Sequence, residues 1–133
     1  MSQDNIQHVR DAYARFVAGD APGLLDAMEE TVRWEVVGQA GAYPTFGVRH
    51  GRAGVADFFT TLAGLEEITE FAPIDFHASG DKVIVFGRVA ATTRETGVKT
   101  DTAWAHEFTL AGGKITSFRE FLDTAQFVAA RQG

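Results

Sequence analysis

Two neighbouring segments near the end of the chain alternate between apolar and polar residues, the pattern of strands with one buried face. In the first segment the apolar face holds five side chains: Thr102, Trp104, His106, Phe108 and Leu110. In the second it holds Phe118, Glu120 and Leu122, and a Gly-Gly-Lys turn at 112–114 joins the two segments. The pattern predicts a hairpin over 100–123 in which each apolar face carries one titratable group, His106 or Glu120. Such a group has to be paired, neutralised or used in chemistry.

Four other stretches have the spacing or the end signals of helices. The first helix ends at Gly19, and its apolar stripe consists of Ile6, Val9, Tyr13, Phe16 and Val17. Asp20 begins a second helix with Pro22 in its first turn, where a missing N–H costs little. A third runs from 51 to about 65 and buries Val55, Phe58, Phe59 and Leu62. Asp123 is placed to cap a short helix at 125–131.

Three further segments are expected to be strands: 32–37, 68–78 and 82–93. Pro73 interrupts the second, so we expect a bend, bulge or edge position there. The core of the third, VIVF at 83–86, is apolar on both faces, which predicts helices over one face and a second subunit over the other.

The order of these elements is helix, helix, strand, helix, four antiparallel strands and a short helix. Helices that are segregated from hairpin-connected strands indicate an α+β fold. The Gly-rich loop at 38–47, which carries Tyr43, is either a lid over a pocket or a plain connector.

Composition narrows the class of protein. A length of 133 residues indicates a single domain, 1–133, that can bury a core without covalent staples. The absence of cysteine excludes disulfides, thiolate metal sites and cysteine nucleophiles. A net charge of -6 argues against nucleic acid or an anionic membrane as the partner. The polar N-terminal segment and the lack of an apolar run of ~20 residues predict a cytoplasmic protein.

Motifs for cofactors and covalent catalysis are absent. The sequence contains no GxGxxG, Walker-type, HExxH or GxSxG motif, and no two of its four histidines are spaced i, i+4. We therefore expect neither a cofactor nor a metal. The chemistry that remains is acid–base work by carboxylate and imidazole groups, or simple binding of an apolar small molecule.

Glu120, His106 and Arg88 are the candidate catalytic residues. A desolvated Glu120 suits removal of a proton α to a carbonyl; alternatively it forms an ion pair with Arg88 or faces solvent. His106 orients the substrate, stabilises an enolate or passes a proton to Glu120, or it only lines the pocket. Arg88 lies on one face with Ile84, Phe86 and Ala90. A buried Arg88 needs an anion beside it, unless the strand twist exposes it.

Aromatic residues are the expected walls of the pocket, and eleven phenylalanines are consistent with a large apolar interior. We expect core side chains that also contact a substrate among Trp34, Trp104, Tyr13, Phe59, Phe86, Phe108, Phe118 and Tyr43.

The order of several short motifs resembles one known family over nearly the whole chain. The motifs are AGD at 18–20, LLDAM at 24–28, VRWEVVG at 32–38, GVRHGRAGVADFF at 47–59, AWAHEFTLAGGKI at 103–115 and FREFLDTAQF at 118–127. They resemble the SnoaL-like polyketide cyclase branch of the nuclear transport factor 2-like superfamily, also called ketosteroid isomerase-like. The resemblance implies a cystatin-like cone, in which a curved antiparallel sheet packs on N-terminal helices around an apolar pocket. It also implies a homodimer that pairs through the sheet.

The family includes cyclases, isomerases, dehydratases, epoxide hydrolases and binding domains, so the resemblance leaves the reaction open. Its polyketide cyclases have a His and, fourteen positions later, an acidic base, which His106 and Glu120 match with Glu in place of Asp. The epoxide hydrolases have an Arg near position 88, but their second Asp would fall on Ala90. The base of ketosteroid isomerases would fall on Val36, which departs from that chemistry.

The function that these observations favour is cofactor-independent acid–base chemistry of the cyclase, isomerase or dehydratase type on a hydrophobic carbonyl compound. The alternative is a non-catalytic ligand-binding or dimerisation module, and a weaker alternative is epoxide hydrolysis.

Overall fold

The computed structural model describes residues 2–133 and has ten regular elements. The helices are α1 (Ser2–Val17), α2 (Ala21–Asp26), α3 (Gly51–Leu65) and α4 (Thr124–Gln132). The strands are β1 (Met28–Val36), β2 (Gly47–His50), β3 (Glu66–Ser79), β4 (Lys82–Thr93), β5 (Lys99–Ala111) and β6 (Lys114–Leu122). The order of elements confirms the α+β prediction.

All six strands form one curved sheet in the order β2-β1-β6-β5-β4-β3. The strands β3 to β6 are an antiparallel meander, as predicted, because each is joined to the next by a tight turn. β1 closes the other side by running parallel to β6, with Trp34 opposite Phe118 and Val36 opposite Glu120. The last strand is therefore an interior strand, which fixes its side chains from both sides.

The helices α1 and α3 pack on the inner face of the sheet and form the core with it. Alternation in β4 places Val83, Val85 and Val89 in this core, whereas the even-numbered residues between them point outwards. β5 and β6 continue the pattern, and the five apolar-face residues predicted for β5 are all buried. The inner face of the sheet is thus the face on which a site can be enclosed.

Some element boundaries differ from the prediction. β1 begins at Met28 and includes Glu29 and Glu30, because pairing of Met28 with Ile115 extends the strand. β2 was not predicted, since it has only four residues and depends on its pairing with β1. The irregularity expected at Pro73 is confirmed by a shift of register between Pro73 and Asp75.

Two predicted helix caps have different outcomes. Asp20 caps α2 as expected, and its side chain accepts a 2.9 Å hydrogen bond from the Gly23 N–H. Asp123 occupies the N-cap position of α4, but its side chain caps no backbone N–H. It accepts instead from the Gln126 side-chain amide, at 3.0 Å.

Candidate functional site

An apolar cavity lies between the inner face of the sheet and the helices α1 and α3, and it has a volume of about 100 Å³. Six of the predicted wall residues line it: Tyr13, Trp34, Tyr43, Phe59, Phe108 and Phe118. His106 and Glu120 line the same cavity, as do Glu66 and Thr45. Its wall holds few polar groups and no lysine or arginine, which is the composition of a small-molecule site.

Three of these residues form a continuous chain of hydrogen bonds. His106 on β5 and Glu120 on β6 are direct cross-strand partners, and their Nε2 and Oε2 atoms are 2.6 Å apart. The Tyr13 hydroxyl on α1 lies 2.7 Å from the other ring nitrogen of His106, Nδ1. His106 is only 4% exposed, so the two hydrogen bonds satisfy an imidazole that is removed from water.

The direction of the hydrogen bonds follows from the state of Tyr13. Burial raises the pKa of the Tyr13 hydroxyl strongly, and the negative charge of Glu120 raises it further, so the hydroxyl keeps its proton. We assign the Tyr13 O–H as the donor to Nδ1, which leaves Nε2–H to donate to the Glu120 carboxylate. This arrangement holds Glu120 in place with its other oxygen, Oε1, outside the chain of bonds.

Aromatic rings enclose the imidazole. Trp104 stacks on His106 with ring centroids 3.8 Å apart, and Phe118 meets it edge-on at 4.7 Å. Trp104 was predicted to contact substrate, but it is not on the cavity surface. It lies behind His106, where its ring also stacks on Phe71 at 5.2 Å. Trp104 therefore supports the imidazole from outside the cavity.

Two predicted site residues lie on the opposite face of the sheet. The side chain of Arg88 is 50% exposed and pairs with Asp101 at 2.9 Å, across the β4–β5 ladder. Phe86 is 47% exposed and packs edge-on against His77. The prediction that both enter the cavity is wrong, because the inward positions of β4 are the odd-numbered ones. Arg88 is therefore not the partner of Glu120.

The sequence analysis missed a buried carboxyl group in the cavity, that of Glu66. Tyr43, in the loop between β1 and β2, donates a 2.6 Å hydrogen bond to Glu66 Oε2. Glu66 is only 7% exposed. Residues two apart in a strand point to the same face of the sheet, and both Glu66 and Ile68 line the cavity. Had the predicted strand begun two residues earlier, at Glu66, the sequence would have placed this carboxyl group on the inner face.

Metal-ligand clusters and membrane-spanning helices are two features to look for among the described residues. In the part of the chain that the structure describes, no three His, Asp or Glu side chains are grouped as metal ligands. Among the helices of residues 2–133, none is both long and apolar enough to span a bilayer.

Known proteins resemble this chain in sequence and fold. A family model described as a SnoaL-like domain matches residues 9–118. Among curated protein sequences, none matches significantly. An NTF2-like protein from Burkholderia xenovorans is 30% identical, with 98% of this chain and 97% of that one covered and a TM-score of 0.88.

Two other solved structures are also similar. TerC, co-crystallised with polyporic acid, is 28% identical at a TM-score of 0.85, with 98% of this chain and 99% of that one covered. A Xanthomonas campestris protein provisionally named a polyketide cyclase is 19% identical at a TM-score of 0.77, over 97% of each chain, and shares the fold. The family match over most of the length and the nuclear transport factor 2-like structures confirm the predicted resemblance: this chain belongs to the SnoaL-like domain family.

Proposed function

We propose that this protein performs cofactor-independent acid–base chemistry, of the cyclase, isomerase or dehydratase type, on an apolar carbonyl compound. The observation that carries the proposal is the 2.6 Å hydrogen bond between His106 Nε2 and Glu120 Oε2 at the wall of an apolar cavity. Glu120 lines the cavity, and a carboxylate there can accept a proton from a carbon next to a carbonyl group.

In the proposed mechanism, Glu120 is the base and removes a proton from the carbon next to the substrate carbonyl. His106 and Tyr13 are positioning residues, since they hold the carboxylate through a hydrogen-bonded chain without touching the reacting carbon. The aromatic wall excludes water from the enolate that forms. The enolate then returns the proton at another carbon, attacks a second carbonyl or expels a hydroxyl group, depending on the substrate.

The alternative function is ligand binding without catalysis, which the apolar wall of the cavity favours. The TerC structure with polyporic acid supports ligand binding by this fold. The volume of about 100 Å³ is below the ~150 Å³ of an apolar cavity that holds benzene. A second cavity of about 270 Å³ shares six residues of its wall with the first, so a single-ring ketone can extend from one into the other and is a suitable first probe. Epoxide hydrolysis is not proposed, because Arg88 lies on the other face of the sheet.

Two further expectations from the sequence are proposals here. We propose that two copies pair through the outer face of the sheet, where Ile74, Phe86 and Phe121 are exposed. We also propose a cytoplasmic location, on the acidic, cysteine-free composition of the sequence.

Hydrogen–deuterium exchange of a ketone tests Glu120 without knowledge of the natural substrate. Cyclohexanone in D₂O is followed by proton NMR, and the protein is expected to speed the loss of the α-protons. Glu120→Gln should lower the protein-dependent rate by about 10²- to 10⁴-fold, the usual contribution of a general base.

The matched control is Glu107→Gln. Glu107 lies next to His106 on β5 but on the outer face, where Arg119 lies 3.7 Å from its carboxylate. The control should retain the wild-type rate. A Glu120→Gln protein that exchanges cyclohexanone as fast as the wild type would refute the role of Glu120 as the base.

A further inference from the structure

The cavity contains a second polar pair, Glu66 and Tyr43, that the base chemistry above does not use. β3, which carries Glu66, is separated in the sheet from β6, which carries Glu120, by the two strands β4 and β5. Both carboxyl groups nevertheless line the same cavity, because the sheet is curved. Glu66 and Glu120 therefore lie on different parts of the wall of one cavity.

Glu66 has no ion-pair partner in the described part of the chain. Among residues 2–133, its one side-chain hydrogen bond is the bond from Tyr43. Burial raises the pKa of Glu66, the hydrogen bond from Tyr43 opposes part of this rise, and the negative charge of Glu120 adds to it. A buried carboxyl group without a cation beside it is more stable as the neutral acid than as the anion.

Other charged groups face Glu66 from the elements around it. His106 and Glu120 share the inner cavity with it. A second, outer cavity of about 270 Å³ borders Glu66 on its other side and has three charged residues in its wall: Arg15, Asp20 and Arg94. Neither arginine is within ion-pair distance of Glu66 in the described part of the chain, so neither offsets the burial of its carboxyl group.

The proposed reaction needs a donor that the Tyr13–His106–Glu120 chain does not supply. Removing an α-proton places negative charge on the carbonyl oxygen, and a hydrogen-bond donor aimed at that oxygen stabilises the transition state. Both ring nitrogens of His106 are already bonded, one to Tyr13 and one to Glu120. Glu66 has an unbonded oxygen, Oε1, because Tyr43 occupies only Oε2.

We propose that Glu66, held by Tyr43 and carrying its proton on Oε1, is the catalytic acid that donates to the substrate carbonyl oxygen while Glu120 takes the α-proton. The C–H bond breaks, its electron pair forms the carbon–carbon double bond, and the carbonyl electron pair moves to oxygen, which accepts the hydrogen bond or proton of Glu66. Return of both protons restores the two carboxyl groups. This inference rests on the proposed function.

The proposal also defines the class of substrate. The wall of the inner cavity has two carboxyl groups and neither lysine nor arginine, so a carboxylate or phosphate at the reacting end would meet no cation. The reacting end is therefore an uncharged ketone or aldehyde. A larger substrate can extend into the outer cavity, because Glu66 and five apolar residues line both cavities.

The first test is the charge of Glu66, measured by ¹³C NMR titration of glutamate carboxyl groups and assigned with Glu66→Gln. We expect the titration midpoint of Glu66 to lie above the ~4.3 of an ordinary glutamate, far enough for Glu66 to be neutral at pH 7. Tyr43→Phe should raise the midpoint further, since the lost hydrogen bond favours the ionised form. An ionised Glu66 at pH 7 overturns this inference, whatever the exchange rates show.

The second test is cyclohexanone exchange by Glu66 variants as a function of pH. Glu66→Leu should lower the protein-dependent rate by about 10²-fold or more, because it removes an oxyanion donor. Glu66→Gln keeps an N–H donor and should retain much more of the rate. The wild-type rate should fall as pH rises through the midpoint of Glu66, and this alkaline decrease should disappear in Glu66→Gln.

The outcomes separate this inference from the proposed function. Suppose that Glu120→Gln abolishes exchange. If Glu66→Leu then keeps the wild-type rate, or if Glu66→Gln keeps the alkaline decrease, only the inference about Glu66 is overturned. If the wild type exchanges cyclohexanone no faster than Glu120→Gln, the proposed base chemistry fails, and the role of Glu66 as its acid fails with it.

Discussion

The two tyrosines of the cavity have hydroxyl groups of similar chemistry but different partners. Tyr13, on α1, is hydrogen-bonded to the His106 imidazole, whereas Tyr43, in the loop before β2, donates to the Glu66 carboxyl group. Burial raises the pKa of both hydroxyls, so both remain protonated. In the proposed mechanism Tyr13 holds the imidazole that positions Glu120, and Tyr43 holds the acid.

Tyr13→Phe tests the positioning role. The change leaves Nδ1 of a buried imidazole without its donor, which should lower the free energy of unfolding by about 1–3 kcal/mol. The Glu120 carboxylate still accepts from Nε2–H, so the tautomer is kept, but loss of the donor to Nδ1 should shift the ¹⁵N NMR signal of that nitrogen. Misplacement of Glu120 should slow cyclohexanone exchange by about 10- to 100-fold.

Tyr43→Phe is the matched control for the imidazole signal, because it also removes a buried hydroxyl but leaves His106 untouched. Its ¹⁵N spectrum of His106 should equal that of the wild type. If Tyr13→Phe shifts the Nδ1 signal and lowers stability while cyclohexanone exchange keeps the wild-type rate, Tyr13 has a structural role only.

Period-two alternation was sufficient to place His106 and Glu120 but not Arg88. In β5 and β6 the outward positions are mostly polar or alanine, with Phe121 as the large apolar exception, so the inner face is clear. In β4, bulky apolar residues occupy both faces. The outer face carries Phe86, so its pattern is as apolar as that of the buried face. The pattern of β4 alone therefore could not say on which side of the sheet Arg88 lies.

At the level of elements, β4 approaches β5 unusually closely at one glycine. A Cβ atom on Gly87 would lie 2.3 Å from Trp104 Cζ2 and 2.4 Å from the Ala72 carbonyl oxygen. Gly87 lies opposite Trp104 in the β4–β5 ladder. The absence of a side chain thus lets the indole lie flat behind His106.

Gly87→Ala should displace Trp104 and lower the free energy of unfolding by about 1–3 kcal/mol, the usual cost of overpacking. Thermal denaturation followed by near-UV circular dichroism would report both the loss of stability and the altered indole environment. Gly64→Ala, in α3, is the control, because a Cβ there meets no atom within 4 Å. It should stabilise the protein slightly. Equal melting temperatures for Gly87→Ala and the wild type would contradict this account.

Long periodic elements were predictable, whereas their ends and the shortest strand were not. The hairpin of β5 and β6 and the helix α3 have repeated apolar positions that define them locally. β2 has four residues, and its conformation depends on pairing with β1, which a local pattern does not contain. The missed start of β3 had the larger consequence, since Glu66 is its first residue.

For the whole molecule, the outer face of the sheet combines an apolar patch with a row of ion pairs. Phe86, Ala105 and Phe121 are cross-strand neighbours on β4, β5 and β6, and Phe86 and Phe121 are exposed. Beside them, Arg119 lies 3.4 Å from Glu35 and 3.7 Å from Glu107. A patch of this kind can pair with a copy of itself about a two-fold axis.

Phe86→Lys should weaken the proposed dimer. In a two-fold dimer each copy contributes the same surface, so the substitution places two lysines in the apolar part of the interface. The dissociation constant of the dimer should rise by at least tenfold, and sedimentation equilibrium measures this constant. The control is Val17→Lys at the end of α1, which is 69% exposed and away from the sheet. A monomeric wild type, or a dimer that Phe86→Lys leaves intact, would contradict the proposal.

The parallel pairing of β1 with β6 has a consequence for how the protein is made. The strand that begins at Met28 pairs with a strand that begins at Lys114, and the hydrogen bond from Tyr13 to His106 spans 93 positions. Contacts so distant in sequence close large loops and slow folding. A ribosome-bound chain that lacks β6 has no Glu120 and leaves one side of β1 unpaired. The acid–base site therefore forms only after β6 has been synthesised, and a fragment that ends before Glu120 cannot possess it.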